Sequence, residues 1–409
     1  MKKTGGYQNH AAVAVLLVLV GITVALGQYK VPSIMPSIME QFSMDVGTAS
    51  WLMSIFTFVG IFLALPTGAL AKKFGAKNMM VASVLILAVG SVIGALASSA
   101  TVLIVSRAIE GVALIFCAVG APLAIQKYVA PDKIGFATGI WALWISLGSF
   151  FGGVLMPGLY AATGFSGVWF ITSGLAVVAG LLMFLFLKPQ SGKYFEAIEK
   201  AALSGTETKE KSNYRDLIKP NVLLVLGGFL MFNMVLLSML AFSPTFHQSQ
   251  GMDPTVAGLI STLPMLIAIV SSPLFGVLAD KTGKVKLLMV ISMLAMGPCA
   301  CIILTTTSPL VWVAAVVMGL VGLGSPTMFL TLYPRVVGDE KLMPIAMGLL
   351  ILVQSLGQFL GTAIMPLVLE NGWMVAGIFV LVLGLIGTGL LALVKLRGRT
   401  FCSNQKVIY

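Results

Sequence analysis

Residues 146–157 read SLGSFFGGVLMP and residues 355–366 read SLGQFLGTAIMP. Gly148, Gly152 and Pro157 in the first stretch stand against Gly357, Gly361 and Pro366 in the second, at an offset of 209. Outward from there, an offset of 208 pairs Pro36 with Pro244, Asp45 with Asp253, Gly68 with Gly276, Gly75 with Gly283 and Gly111 with Gly319. Apolar residues coincide readily by chance. Gly and Pro recurring at one offset do not, and they imply an internal duplication.

What is duplicated follows from composition. The chain has 409 residues, 58% of them hydrophobic and only 10% charged, with a mean hydropathy of +1.02. Soluble domains carry about 25% charged residues, so a water-soluble reading is excluded. Long apolar segments lie near 11–35, 49–71, 77–97, 101–125, 136–160 and 166–188, then near 221–245, 255–279, 286–306, 309–333, 343–368 and 373–395. Each reaches the ~20 residues a helix needs to cross ~30 Å of hydrocarbon with its backbone groups paired. Strands of a membrane barrel are shorter and alternate, which excludes that class. The expected fold is an all-α membrane protein of twelve transmembrane helices in two parallel six-helix repeats. The expected organisation is an amino-terminal bundle over 1–188, a charged linker over 189–219, and a carboxy-terminal bundle over 220–409 ending in a short tail.

The 25 Lys and Arg outnumber the 14 Asp and Glu, giving a net charge of +11. With the amino terminus inside, all but Lys30 and Arg107 fall in cytoplasmic segments or at a span end, and the six external loops hold none. The positive-inside rule therefore places both termini in the cytoplasm, and the basic balance needs no nucleic-acid partner. A competing reading makes residues 1–27 a secretory signal cut after Ala25-Leu26-Gly27, but this removes most of a span that the duplication requires. Cys117, Cys299 and Cys301 lie in spans and Cys402 in the tail, so no disulfide is expected; no Cys, His or carboxylate cluster has metal-ligand spacing, and no cofactor is implied.

The loop GVLADKTGKVK at 276–286 resembles the signature of the major facilitator superfamily, and GALAKKFGAK at 68–77 is a degraded copy. LIVSRAIEGVA at 103–113 resembles that superfamily's fourth-span motif. The resemblance implies a monomeric secondary transporter whose two bundles rock about a central site, lined by the first and fourth spans of each half. It implies a gating role for Gly68, Lys72, Gly75, Gly276, Asp280 and Gly283. The family's acid, which contacts a helix N-terminus of the opposite half, is kept as Asp280 but replaced by Lys72 in the first copy, where a cation would meet the positive end of that helix dipole. QYKVPSIMP at 28–36 and RAIEG at 107–111 look most like bacterial permeases of the cyanate and nitrite type, which implies a bacterial inner membrane. A first-span cation with Arg and Glu on the fourth span also resembles the organic-anion symporters.

Three charges remain unexplained by topology. Lys30 and Arg107 lie within spans, and Glu110 alone among the acids lies well inside one. Each costs about 2.5–3.5 kcal/mol at the centre of a membrane helix unless paired or used. Arg107 and Glu110, three apart, share a helix face. One reading is a buried ion triad that only fastens helices, or a Lys30 that snorkels outward. The other is a binding site: two cations against one carboxylate leave +1, which suits a small organic carboxylate or inorganic anion, and a guanidinium can hold it bidentately. The positions matching Lys30, Arg107 and Glu110 in the second half are Ser238, Ala315 and Met318, so charge is confined to the first. Gln28, Asn233, Ser238, Gln354, Gln358 and Trp144 are the polar and aromatic candidates for contact with the rest of the cargo. A proton carried with an anion cancels the cost of about 2.3 kcal/mol per 100 mV of inside-negative potential, and Glu110 is its candidate carrier. The alternatives are a multidrug/proton antiporter and a non-transporting receptor of the same fold. An enzyme is not expected, since no nucleophile, base and orienter set stands out.

Overall fold

A computed structural model describes residues 8–187, 214–338 and 342–395, which are helical apart from short turns. Most of the 189–219 linker lies outside the described residues. Among the described residues, eleven helical segments are long and apolar enough to cross a membrane. One of them, Pro131–Phe186, includes a 44-residue helix, Leu143–Phe186, which would be about 66 Å long, twice what a bilayer needs. Its backbone is broken at Gly164 (φ 70°, ψ −175°), a conformation that glycine adopts without a Cβ clash, so it contains two spans. The twelve spans are therefore the first, His10–Phe42; second, Val46–Phe74; third, Ala76–Ala95; fourth, Ala100–Tyr128; fifth and sixth, either side of Gly164; seventh, Pro220–Ser249; eighth, Pro254–Thr282; ninth, Val285–Thr305; tenth, Leu310–Val337; eleventh, Met343–Leu369; and twelfth, Trp373–Leu393. Below, "outer" denotes the end that carries Asp45 and Asp253.

Repeat-related glycines fix repeat-related helix crossings. A Cβ on Gly148 would press on the Ile22 carbonyl at 2.9 Å, and one on Gly357 on the Leu230 carbonyl at 2.7 Å. Gly111 lies against the Phe56 carbonyl and Gly319 against that of Pro264. Ile22 and Leu230, like Phe56 and Pro264, are 208 apart, so each glycine and its partner carbonyl recur together. Small residues let backbones approach closely where lipid offers no hydrophobic driving force between helices.

The first span departs from the continuous helix expected over 11–35. It is a helix over His10–Tyr29, a 3-10 turn over Pro32–Ile34 and a second helix over Met35–Phe42. Proline has no N–H, so Pro32 cannot donate to the Gln28 carbonyl four residues back, nor Pro36 to that of Pro32. Two prolines spaced by one turn therefore break the helix.

The two halves meet toward their outer ends. Ser54 Oγ donates to Thr362 Oγ1 (2.8 Å), Gln248 Nε2 donates to the Ser33 carbonyl (2.9 Å), and Phe359 packs on Trp51 and Phe58 (6.2 and 4.9 Å between centroids). Gly153 and Gly258 touch backbone to backbone between the fifth and eighth spans. At the opposite end Asp280 is exposed and forms no hydrogen bond or ion pair among the described residues.

Candidate functional site

The broken first span explains where its neighbouring charges go. Carbonyls in the last turn of a helix lack intrahelical donors. Arg107 takes two of them: Nη1 donates to the Gly27 carbonyl (2.6 Å) and Nη2 to that of Gln28 (3.2 Å). Its Nε donates to the Leu52 carbonyl of the second span (2.9 Å), and its guanidinium lies 4.4 Å from the Phe56 ring. A cation at a helix C-terminus also complements the negative end of the helix dipole.

Glu110, one turn along the fourth span, is the hub. Its Oε2 accepts from Arg107 Nη1, and its Oε1 accepts from Lys30 Nζ (2.7 Å) and Ser91 Oγ (2.6 Å). Lys30 also donates to Ser91 Oγ (3.3 Å) and lies over the Trp169 ring at 4.5 Å. Lys30, Arg107 and Glu110 are all 0% exposed. Such a cluster holds only while complete: removing one partner from a buried pair typically costs about 3–5 kcal/mol. The remaining +1 faces carbonyl oxygens and two ring faces, both of which stabilise cations in dry surroundings.

The cluster lies behind the central spans. Lys30 reaches Ser91 of the third span and Trp169 of the sixth, so it points into the amino-terminal bundle and away from the other half. Gln28, two residues earlier, is turned about 200° around the same helix and faces the opposite way. It is 4% exposed, and its Nε2 has no hydrogen-bond acceptor among the described residues.

The other candidates separate. Asn233 Nδ2 donates to the Phe229 carbonyl (2.8 Å), and its Oδ1 accepts from Gln358 Nε2 (3.5 Å), so these two form a pair between the seventh and eleventh spans. Gln354, half-buried, stands one turn away on the same span with no hydrogen bond among the described residues. Ser238 is spent on a crossing, donating to the Gly361 carbonyl (2.8 Å). Trp144 stacks on Trp141 (4.9 Å, 15°) against Gly21, inside the amino-terminal half. Gly75 and Gly283 both take positive φ (79° and 66°) at the matched turns, and a Cβ on Gly276 would lie 3.7 Å from Thr327, an ordinary contact. Gly68 and the Lys72 side chain lie outside what the structure describes. Sequence reasoning missed Ser91, Phe56 and Trp169, which are an ordinary serine and ordinary aromatics in apolar spans. It could have found the acceptor at Gln28, because Pro32 four residues on removes that carbonyl's donor.

Comparison with known proteins agrees with the helical plan. The family model for the Major Facilitator Superfamily matches residues 17–256 and 248–401. The galactose-proton symporter of Escherichia coli is 28% identical over 203 residues, 48% of this chain and 42% of that protein, so the matched part is less than half of that relative's length. A probable nitrate transporter, NarT, of Staphylococcus haemolyticus is 27% identical over 71% of each chain, and multidrug resistance protein 2 of Bacillus subtilis is 23% identical over 68% of this chain and 70% of its own. Among solved structures, a bacterial homolog of the human lysosomal transporter Spinster superposes with a TM-score of 0.76 at 14% identity, covering 94% of this chain and 96% of that one. A D-xylose-proton symporter gives 0.72 at 15%, covering 93% and 96%. With its twelve spans and a family model that matches nearly their whole length, this multi-pass membrane protein belongs to the Major Facilitator Superfamily.

Proposed function

We propose that this protein is a secondary transporter that moves a small organic carboxylate or inorganic anion by alternating access of its two halves. The reading is carried by the charge balance of the cluster, two cations to one carboxylate, beside a buried Gln28 amide whose Nε2 has no acceptor among the described residues. In this arrangement the cations are engaged by protein groups, so the cargo meets Gln28, and the excess charge acts from one helix behind. At about 10 Å and an effective dielectric of about 20, that charge favours an anion by about 2 kcal/mol. Asn233, Gln354 and Gln358 receive the body of the cargo from the other half. The protein acts as a monomer in a bacterial inner membrane with both termini cytoplasmic.

Proton coupling through Glu110 is conditional on this geometry. Protonating it while Lys30 and Arg107 both depend on it leaves two buried cations without a counter-charge, so an incoming anion must first relieve one of them. In proteoliposomes, Glu110→Gln protein that still folds, its amide oxygen accepting from one of the two cations, is expected to lose pH-driven uptake while retaining anion exchange; intact pH-driven uptake removes Glu110 from the coupling. A second reading, a purely structural triad serving an uncharged cargo, is favoured by the multiple protein contacts of both cations. A thermal-shift screen of carboxylates, inorganic anions, neutral sugars and lipophilic cations separates the two. Anion hits are expected; hits confined to sugars or to lipophilic cations reject the anionic cargo.

A further inference from the structure

We propose that Gln248 is the latch of the outer mouth, and that residues 32–42 of the first span are the lid it holds. The inference rests on the alternating-access part of the reading above and not on an anionic cargo. The Ser33 peptide stands at the break made by Pro32 and Pro36, where it joins both halves. Its Oγ donates to the Gly152 carbonyl of its own half (2.9 Å), and its carbonyl accepts from Gln248 Nε2 of the other (2.9 Å). Below the break, Arg107 holds the Gly27 and Gln28 carbonyls, so movement of the lid ends there and the helix beneath cannot unwind further.

The partner arm is built differently. The seventh span keeps Pro244 opposite Pro36 but has Leu240 where the first has Pro32, and it runs unbroken over Pro220–Ser249. A rigid arm therefore presents its last-turn amide to a hinged segment. The lid stays attached to its own half by Tyr160 Oη, which donates to Gln41 Oε1 (3.1 Å), and by Phe42 edge-on to Phe165 at 5.0 Å. Its own Ile34, Met35 and Ile38 side chains are buried. A hinged lid moves separately from its bundle, whereas two bundles rocking as rigid bodies carry it along unchanged.

The test uses the full chain with its four native cysteines replaced and single reporters introduced. Thr262→Cys, buried at the outer crossing against Gly153, reports outer opening; Gln126→Cys, exposed at the other end, reports inner opening. One neutral hydrogen bond biases a two-state equilibrium about fivefold. Gln248→Ala is therefore expected to raise the rate of maleimide labelling at the outer reporter about fivefold and to lower it at the inner one. Gln248→His, which keeps an N–H donor, restores slow outer labelling. Unchanged labelling in a folded Gln248→Ala protein overturns the latch. If that variant does not fold, Ser33→Cys with Gln248→Cys, joined by a reducible cross-linker, replaces it: outer labelling suppressed until reductant is added upholds the latch, and labelling indifferent to the cross-link overturns it. Failure of the anionic cargo would leave these labelling results unmoved, because they need no cargo.

Discussion

At matched positions the two halves share a backbone plan but not a chemistry. Gly148 and Gly357, like Gly111 and Gly319, admit the same carbonyls 208 or 209 residues apart. Lys77 at the start of the third span donates to the Phe184 carbonyl at the end of the sixth (2.8 Å), and Lys286 at the start of the ninth donates to the Ala392 carbonyl at the end of the twelfth (2.7 Å). Around Arg107 the likeness ends. The first half breaks its first span and ties the break with ions. The second half keeps its seventh span whole and breaks its tenth instead, at the 3-10 turn Gly322–Gly324, where Ser271 and Ser272 donate to the Gly319 and Leu323 carbonyls (2.6 and 3.1 Å). Phe229, Phe232 and Phe329 pack between its seventh and tenth spans. Duplication preserved what helix crossing requires, and each half then acquired its own solution where a span is interrupted.

The contrast can be broken first at the cluster. Glu110→Leu leaves Lys30 and Arg107 buried without a counter-charge and is expected to cost about 3–5 kcal/mol, read as lost monodisperse protein or a large fall in unfolding temperature. Met318→Leu, at the matched position, is volume-conserving and is expected to cost less than about 1.5 kcal/mol. Equal losses would show that the two halves do not differ here. Next in size, Leu240→Pro imposes the first span's proline spacing on the seventh and is expected to cost about 3 kcal/mol, since Ala315, at the position matching Arg107, cannot donate to the freed carbonyl. Thermal unfolding in detergent measures it, and a cost near zero denies that the cation compensates the break.

Gly111→Ala and Gly319→Ala probe what the halves share. Each places a methyl group against a backbone carbonyl, and each is expected to cost about 1–3 kcal/mol by the same measurement. A cost in one half only would limit the shared plan to sequence. Smallest, and of opposite sign, Pro32→Ala returns an N–H donor to the Gln28 carbonyl and is expected to stabilise the protein by up to about 1 kcal/mol while slowing outer opening, measured by labelling at Thr262→Cys. Faster opening would mean that the break is not the hinge.

Much of this plan is legible in the chain itself, because hydrocarbon allows few solutions: twelve apolar runs and glycines recurring at a fixed offset lead directly to two six-helix repeats. The meeting of Lys30, Arg107 and Glu110 is legible for the same reason, since three buried charges need one another. Their direction is not. A cation on a central span can face the other half or the back of its own bundle, and here Ser91 and Trp169, which nothing in the third and sixth spans distinguishes, decide it. Trp144 illustrates the same limit, because an aromatic at a suitable depth turned out to pack on Trp141 and Gly21.

The proposal that excess charge in the cluster recruits an anion is tested most directly by one affinity. Lys30→Met reduces the cluster from +1 to neutral while leaving the Arg107 and Glu110 pair, and Gln28, in place. Isothermal titration of the anion giving the largest thermal shift should show a Kd about ten- to thirtyfold higher in Lys30→Met than in the unmodified protein, the factor expected for about 1.4–2 kcal/mol. An unchanged Kd in a folded variant would contradict it and leave the cluster a structural tie alone.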